Sequence, residues 1–123
     1  MVEELLETKK ILITPQGMSI LSDRFDELFG HGYEIEFTNG IVKDKIKLKA
    51  LMKNKDACII GSEIIDNTLL KECDNLKIIS RFGSGYDSID LNALKGKKIS
   101  LAIASKHSTN AVARHTLSLL LSL

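Results

Sequence analysis

The sequence predicts an α/β fold built on a doubly wound parallel sheet. Short runs of β-branched and aliphatic residues alternate with segments whose apolar residues recur at helical spacing, and the pattern repeats every ~20–25 residues. Most of the strand candidates are apolar throughout, which is typical of strands that are buried on both faces of a parallel sheet. With right-handed crossovers, five such strands give a flavodoxin-like sheet in the order 2-1-3-4-5, with helices covering both faces.

The first half of the chain contains two strands and two helices of this pattern. Residues 10–14 form a buried strand that Pro15 and Gly17 end, and residues 33–37 alternate apolar and polar as an edge strand does. Between them, a glycine-rich stretch at residues 30–32 stops a helix. Its apolar positions are Ile20, Leu21, Phe25, Leu28 and Phe29, and those of the following helix are Ile46, Leu48, Leu51 and Met52.

The second half continues the alternation to the end of the sequence. Strands are predicted at Ala57–Ile60, Leu76–Ser80 and Ile99–Ala104. A short helix lies around Leu69 and Leu70, and another runs from Asp90 to Lys95 with Gly96 ending it. A final helix begins near Asn110, with Thr109 and Asn110 as its N-cap.

Composition excludes several functional classes. The chain has 123 residues, the size of one domain, and its 17 basic and 16 acidic residues leave a net charge of +1. No overall field therefore favours nucleic acid or an anionic membrane. We expect no transmembrane segment and no signal peptide from these residues. Cys58 and Cys73 are too few for a disulfide framework or a metal cluster, so we expect free thiols, no metal site and a cytoplasmic setting.

The last helix is apolar around most of its circumference. Leucines at positions 117, 119, 120, 121 and 123 cover several faces, and such a helix must be buried on several sides. Either it docks on its own sheet or it continues into a domain that this sequence does not include. We favour the second interpretation, which divides the chain into a substrate-binding domain at residues 1–109 and a linking helix at 110–123.

Ligands of open parallel sheets bind beyond the carboxyl ends of the strands, and the loop after the fourth strand is the most informative one there. It reads Arg81-Phe82-Gly83-Ser84-Gly85-Tyr86-Asp87-Ser88, a GxGxxG dinucleotide pattern with serine in the third glycine position. Two glycines permit a tight backbone whose N–H groups can hold a carboxylate. The alternative is that these glycines only make a turn.

The stretch SRFGSGYDSIDLNAL resembles the signature of the D-2-hydroxyacid dehydrogenases, a family that includes phosphoglycerate and D-lactate dehydrogenases. The preceding GSEIIDNTLLKECDNLKIIS and the following HSTNAVARHTLSLLLSL resemble the same family. The resemblance covers residues 59–123. It implies the substrate-binding domain of an NAD-dependent oxidoreductase that transfers hydride between NAD(H) and a 2-hydroxy or 2-oxo acid.

The resemblance also assigns roles to residues. Backbone amides of Gly83, Ser84 and Gly85 hold the substrate carboxylate, and the loop Gly61-Ser62-Glu63 faces the same cleft. In the turn before the last helix, His107 lies on the substrate side, and Asn110 and Val112 approach the nicotinamide.

The family's catalytic arginine, acid and histidine lie in its second, NAD-binding domain, so no catalytic residue is expected in this chain. Arg81 and His115 are not candidates for those roles, and His107 either contacts substrate or faces solvent. We therefore expect no turnover and no stable NAD binding by this chain. We also expect a monomer here and a homodimer for the complete enzyme.

One residue departs from the family pattern: Arg114 follows Val-Ala where the family has glutamate. A carboxylate in the first helical turn suits the helix dipole, and arginine reverses that charge.

Two other classes are compatible with the fold. A signalling receiver needs an acidic pair after the first strand and an aspartate after the third, and Thr14-Pro15-Gln16 and Gly61-Ser62 occupy those places. The receiver class is therefore a poor match. A binding module for small carboxylates, without catalysis, remains the alternative.

Overall fold

The computed structural model describes residues 7–30 and 32–123 and shows one five-stranded parallel sheet. The strands are β1 (Lys9–Ile13), β2 (Tyr33–Phe37), β3 (Ala57–Ile60), β4 (Ile78–Arg81) and β5 (Ser100–Ile103). Their order across the sheet is β2-β1-β3-β4-β5, which confirms the predicted flavodoxin-like topology. The carboxyl ends of all five strands consequently lie at the same edge.

The helices are α1 (Ser22–Phe29), α2 (Lys45–Met52), α3 (Asn67–Leu70), α4 (Leu91–Lys97) and α5 (Lys106–Leu121), with a 3₁₀ turn at Met18–Leu21. Aspartates begin three of them. Asp44 accepts from Ile46 N and Lys47 N, Asp66 from Leu69 N, and Asp90 from Ala93 N, all within 3.1 Å. Each carboxylate satisfies N–H groups that the first helical turn leaves unpaired.

One face of the sheet carries the main core. Leu12, Cys58, Ile60 and Ile79 point from the strands toward α2, α3 and α4, where Leu48, Met52, Leu69, Leu70 and Leu94 meet them. All of these side chains are at most 3% exposed. Burying each leucine or isoleucine side chain contributes about 1.5–3 kcal/mol to the stability of the fold. This core therefore fixes the strands, and with them the loops at the strand ends.

Helices lie on both faces of the sheet, as predicted, but the opposite face is covered over only part of its width. Phe25 of α1 packs on Ile11 and Ile13 at the β1 side. On the β4 and β5 side, Ile78 is 40% exposed and Ala102 is also exposed. In a sheet with the strand order 2-1-3-4-5, the fifth helix is the element expected to cover this half of the face. In this chain α5 does not cover it.

Helix α5 extends away from the sheet. Every α5 side chain that the structure describes is exposed, including Leu119 at 57% and Leu121 at 79%. Docking of these leucines on the chain's own sheet, the alternative that the sequence analysis did not favour, is therefore not observed. The helix also begins at Lys106, not near Asn110, and it has no side-chain N-cap.

One further boundary and the burial of three helical residues differ from the sequence-based prediction. Helix α4 passes through Gly96 and ends where Lys98 adopts a left-handed φ of 57°. Three of the apolar residues assigned to helical faces, Ile20, Leu28 and Ile46, are 76–84% exposed. Helical spacing identified the helices correctly but overestimated how much of each helix the sheet buries.

The two cysteines are free, as predicted, and both are buried. Burial raises the pKa of the Cys58 thiol to about 12, with Cys73 nearby adding to the shift. Within the described residues no group of three or more His, Cys, Asp or Glu side chains is arranged to hold a metal ion. The described helices also include none with the length and hydropathy to cross a bilayer.

Candidate functional site at the carboxyl edge of the sheet

A cleft of about 370 Å³ opens at the carboxyl edge, where the loops after β1, β2, β3 and β4 meet. Its lining residues are Pro15, Gln16, Ile41, Gly61, Ser62, Arg81 and Phe82. This volume lies in the range of small-molecule sites. Gly61 and Ser62, both predicted site residues, line this cleft, whereas Gly83, Ser84 and Gly85 follow Phe82 at its margin.

The free backbone N–H groups of the glycine loop are the main feature of this margin. The N–H groups of Gly83, Ser84 and Gly85 donate no hydrogen bond to any protein group that the structure describes. The start of the loop is nonetheless fixed, because Phe82 N donates to Ile60 O at 2.8 Å and Ala104 N donates to Gly83 O at 3.0 Å. Its far end is held by Ser88 O, which accepts from Ile65 N at 2.8 Å. Three consecutive free donors on an anchored backbone are suited to bind an anion.

Gly83 and Arg81 fit together closely. Gly83 has a φ of +141°, and a Cβ at this position would lie 2.6 Å from Arg81 Nη1. The Arg81 guanidinium donates to Phe82 O, and its Nε is buried without a partner among the described residues. A cation thus lies directly beside the free N–H groups. Of the two glycines in this loop, only Gly83 has a positive φ that favours glycine; Gly85 does not.

Two buried polar residues hold the cleft together: Glu63, which belongs to the loop expected to face the cleft, and Thr14, to which the sequence analysis gave no role. Thr14 is fully buried, its Oγ1 accepts from Gly61 N at 3.3 Å, and its carbonyl accepts from Gly40 N at 2.9 Å. Glu63 is 2% exposed, and its Oε1 accepts from Val42 N at 3.3 Å. Thr14 therefore ties the loops after β2 and β3 to the end of β1, and Glu63 ties these two loops to each other. A threonine that ends an apolar strand was the one available signal for Thr14.

The predicted residues of the last helix are not brought into the cleft. Asn110 and Val112 lie on α5 with exposed side chains, Val112 at 65%. Because α5 begins at Lys106, His107 belongs to its first turn and not to a preceding loop; its side chain lies outside the described part of the chain. Asn110 is not an N-cap, and Arg114 lies well beyond the first turn, so the argument from the helix dipole does not apply to it.

The fold and site define a small domain that presents anion-binding groups at the carboxyl edge of a doubly wound sheet. Comparison with known proteins gives the family. Residues 8–118 match the catalytic domain of the D-isomer specific 2-hydroxyacid dehydrogenases. The chain therefore belongs to this family of oxidoreductases.

Sequence relatives agree with this assignment. A Staphylococcus saprophyticus protein that bears the name of a 2-hydroxyacid dehydrogenase is 31% identical over 107 residues, which cover 85% of this chain and 31% of that protein. The D-3-phosphoglycerate dehydrogenase of Archaeoglobus fulgidus is 28% identical over 102 residues, covering 83% of this chain and 19% of that enzyme. The chain thus spans a third or less of the length of these two relatives.

Solved structures show the same fold. The NAD⁺-bound 3-phosphoglycerate dehydrogenase of Entamoeba histolytica matches 78% of this chain and 32% of its own with a TM-score of 0.67 and 28% identity. Apo D-lactate dehydrogenase from Escherichia coli matches 92% of this chain and 37% of its own, with a TM-score of 0.72 and 19% identity. The second likeness establishes the fold alone.

Proposed function

We propose that this chain is the substrate-binding domain of an NAD-dependent D-2-hydroxyacid dehydrogenase, in which it holds a small 2-hydroxy or 2-oxo acid by its carboxylate. The main observation in support of this proposal is the row of free N–H groups at Gly83, Ser84 and Gly85 beside the Arg81 guanidinium. Donors that face no protein acceptor are fully available to a ligand, and hydrogen bonds to a charged group are stronger than those between neutral groups. Gly61 and Ser62 complete the opposite side of the cleft.

The described residues do not form a dinucleotide site by themselves. Gly83 is the only loop glycine in the left-handed region, and the space beside it holds Arg81 instead of a pyrophosphate. Asn110 and Val112 offer only exposed positions on α5. We therefore assign NAD, hydride transfer and the acid–base groups to a second domain outside this sequence. In this proposal α5 links the two domains, and the complete enzyme is a homodimer.

Within the complete enzyme, this chain's part in the reaction is to bind and orient. The loop amides and Arg81 fix the carboxylate, which holds the rest of the acid in a defined orientation at the cleft. Holding a reactant in one orientation lowers the entropic part of the barrier. The free, buried thiols of Cys58 and Cys73 support a reducing, cytoplasmic setting.

Isothermal titration of the chain with oxalate tests carboxylate binding. Replacing Arg81 by methionine removes the guanidinium, and we expect the affinity to fall by about tenfold or more, as for other hydrogen bonds to charged groups. Arg24→Met, on the exposed surface of α1, is the matched control and should leave the affinity unchanged. Equal affinities for both variants would contradict the proposed site.

A non-catalytic carboxylate-binding module is the second candidate, and the binding test does not separate it from the first. The gene sequence beyond Leu123 does: a strand followed by GxGxxG supports the enzyme, whereas a stop codon supports the module. In an NADH oxidation assay with pyruvate, hydroxypyruvate and glyoxylate, we expect no turnover from this chain alone. Turnover would overturn the assignment of the acid–base groups to another domain.

A further inference from the structure

A second depression, the side groove, adjoins the substrate cleft. It has a volume of about 320 Å³ and lies between residues 41–43 and residues 62–64, with Lys45, Leu48 and Asp66 completing its lining. Ile41 and Ser62 line both the cleft and the side groove. The cleft and the side groove are therefore adjacent, with these two residues at their boundary.

The side groove presents aliphatic surface to such a ligand. Leu48 and Val42, at 1% and 8% exposure, belong to the core beneath it, whereas Ile41 and Ile64 are 46% and 68% exposed. Apolar side chains left this open beside a ligand cleft gain free energy when another apolar group covers them. The groove is thus suited to an apolar group.

The charges around the side groove balance, which disfavours a phosphate as its occupant. Two cationic residues, Lys43 and Lys45, are matched by two carboxyl residues, Glu63 and Asp66. Lys45 already forms a salt bridge, because its Nζ lies 2.5 Å from Asp66 Oδ2. A dianionic group would therefore meet no net positive field in the groove.

Hydrogen bonding and packing preform the groove. Glu63 Oε1 accepts from Val42 N across it, and its Oε2 would lie 3.3 Å from a Cβ placed on Gly61. The Cβ placed on Gly61 would also lie 3.1 Å from Ile41 Cγ1. A side chain at position 61 would therefore push Ile41 and Glu63 away from each other. Glycine at this position lets the two loops pack closely. A preformed groove binds its ligand without an ordering cost.

We propose that the side groove receives the side chain of the substrate, so that this domain selects 2-hydroxy and 2-oxo acids whose apolar chain is longer than the methyl group of pyruvate. The inference rests on the proposed function, because the carboxylate must be anchored in the cleft for the chain to reach the groove. It names a substrate class: aliphatic acids, in preference to phosphorylated ones.

A homologous series measures this preference directly. Titrating the chain with pyruvate, 2-oxobutanoate, 2-oxopentanoate and 2-oxohexanoate should show Kd falling by up to about fourfold for each added methylene that is buried. A flat or rising series, with pyruvate still bound, would overturn the groove assignment and leave the proposed function intact. Tighter binding of 3-phosphohydroxypyruvate than of 2-oxohexanoate would also overturn it. Failure of every acid to bind would refute both proposals.

Variants locate the effect in the groove. Ile64→Asn places a polar group on the exposed wall, and we expect it to weaken 2-oxohexanoate binding several-fold more than pyruvate binding. Ile46→Asn is the matched control, since Ile46 is 83% exposed on α2 and does not line the groove. An equal loss of selectivity in the two variants would contradict the assignment, and urea unfolding of both checks that neither is globally destabilised.

Discussion

Replacement of Gly83 by alanine tests the central geometry of the site. The native φ of +141° lies in a region that residues with a Cβ rarely adopt, and the new Cβ would lie 2.6 Å from Arg81 Nη1. Because Nη1 is the far end of a flexible side chain, it can move away, so most of the cost comes from the backbone. Strain of this kind costs about 1–3 kcal/mol.

The assay is urea unfolding, with Gly40→Ala as the control. Gly40 has no left-handed φ, and a Cβ there meets nothing within 4 Å, so its replacement should change the free energy of unfolding by less than about 0.5 kcal/mol. We expect Gly83→Ala to lower that free energy by about 1–3 kcal/mol with an unchanged m-value, and also to weaken oxalate binding. Equal stability of the two variants would refute the assigned backbone conformation.

Three further predictions concern single residues. Thr14→Val leaves the buried N–H of Gly61 without its acceptor and should cost about 1–3 kcal/mol in urea unfolding, whereas Thr14→Ser keeps the hydroxyl and should cost less; the reverse order would contradict the Thr14–Gly61 bond. Gly96→Ala should stabilise α4 by about 0.5–1 kcal/mol, since a Cβ there meets nothing within 4 Å, and any loss of thermal stability would contradict this. The hydrogen bond from Lys45 holds the pKa of Asp66 below its usual range, so its stabilisation is present above pH ~4 and lost as the pH falls further. Lys45→Met should reduce this acid sensitivity of the unfolding midpoint, and an unchanged pH profile would count against the pair.

The order of elements could be predicted from the sequence because each strand and helix has its own local signal. Ala57–Ile60 is an uninterrupted apolar run, and the structure has the same bounds for β3. The start of α5 was predicted about a turn late, because Thr109 and Asn110 suggest an N-cap and Lys106 carries no apolar signal. Nothing in a periodic pattern states which partner covers a helix, so the apolar residues of α5 left two interpretations open, and the structure shows that the helix does not dock on its own sheet.

The candidate site was predictable only in part. The glycine loop and Gly61-Ser62 follow from strand ends and family resemblance, and both lie at the carboxyl edge. The contribution of Glu63 depends on a contact with Val42, 21 positions away in the sequence, and no local pattern encodes such a pair. The fit of Arg81 against Gly83 likewise depends on a side-chain direction that sequence spacing does not give.

Amide chemical shifts of the ¹⁵N-labelled chain, titrated with oxamate, test the carboxylate site most directly. We expect saturable shifts at Gly83, Ser84 and Gly85, whose N–H groups are free in the structure, and smaller ones at Gly61 and Ser62. The opposite edge of the sheet, including the cavity that Lys10 and Asn75 line, should not respond. Shifts confined to that opposite edge, or none up to saturating oxamate, would contradict the proposal that this domain holds its substrate through the glycine loop.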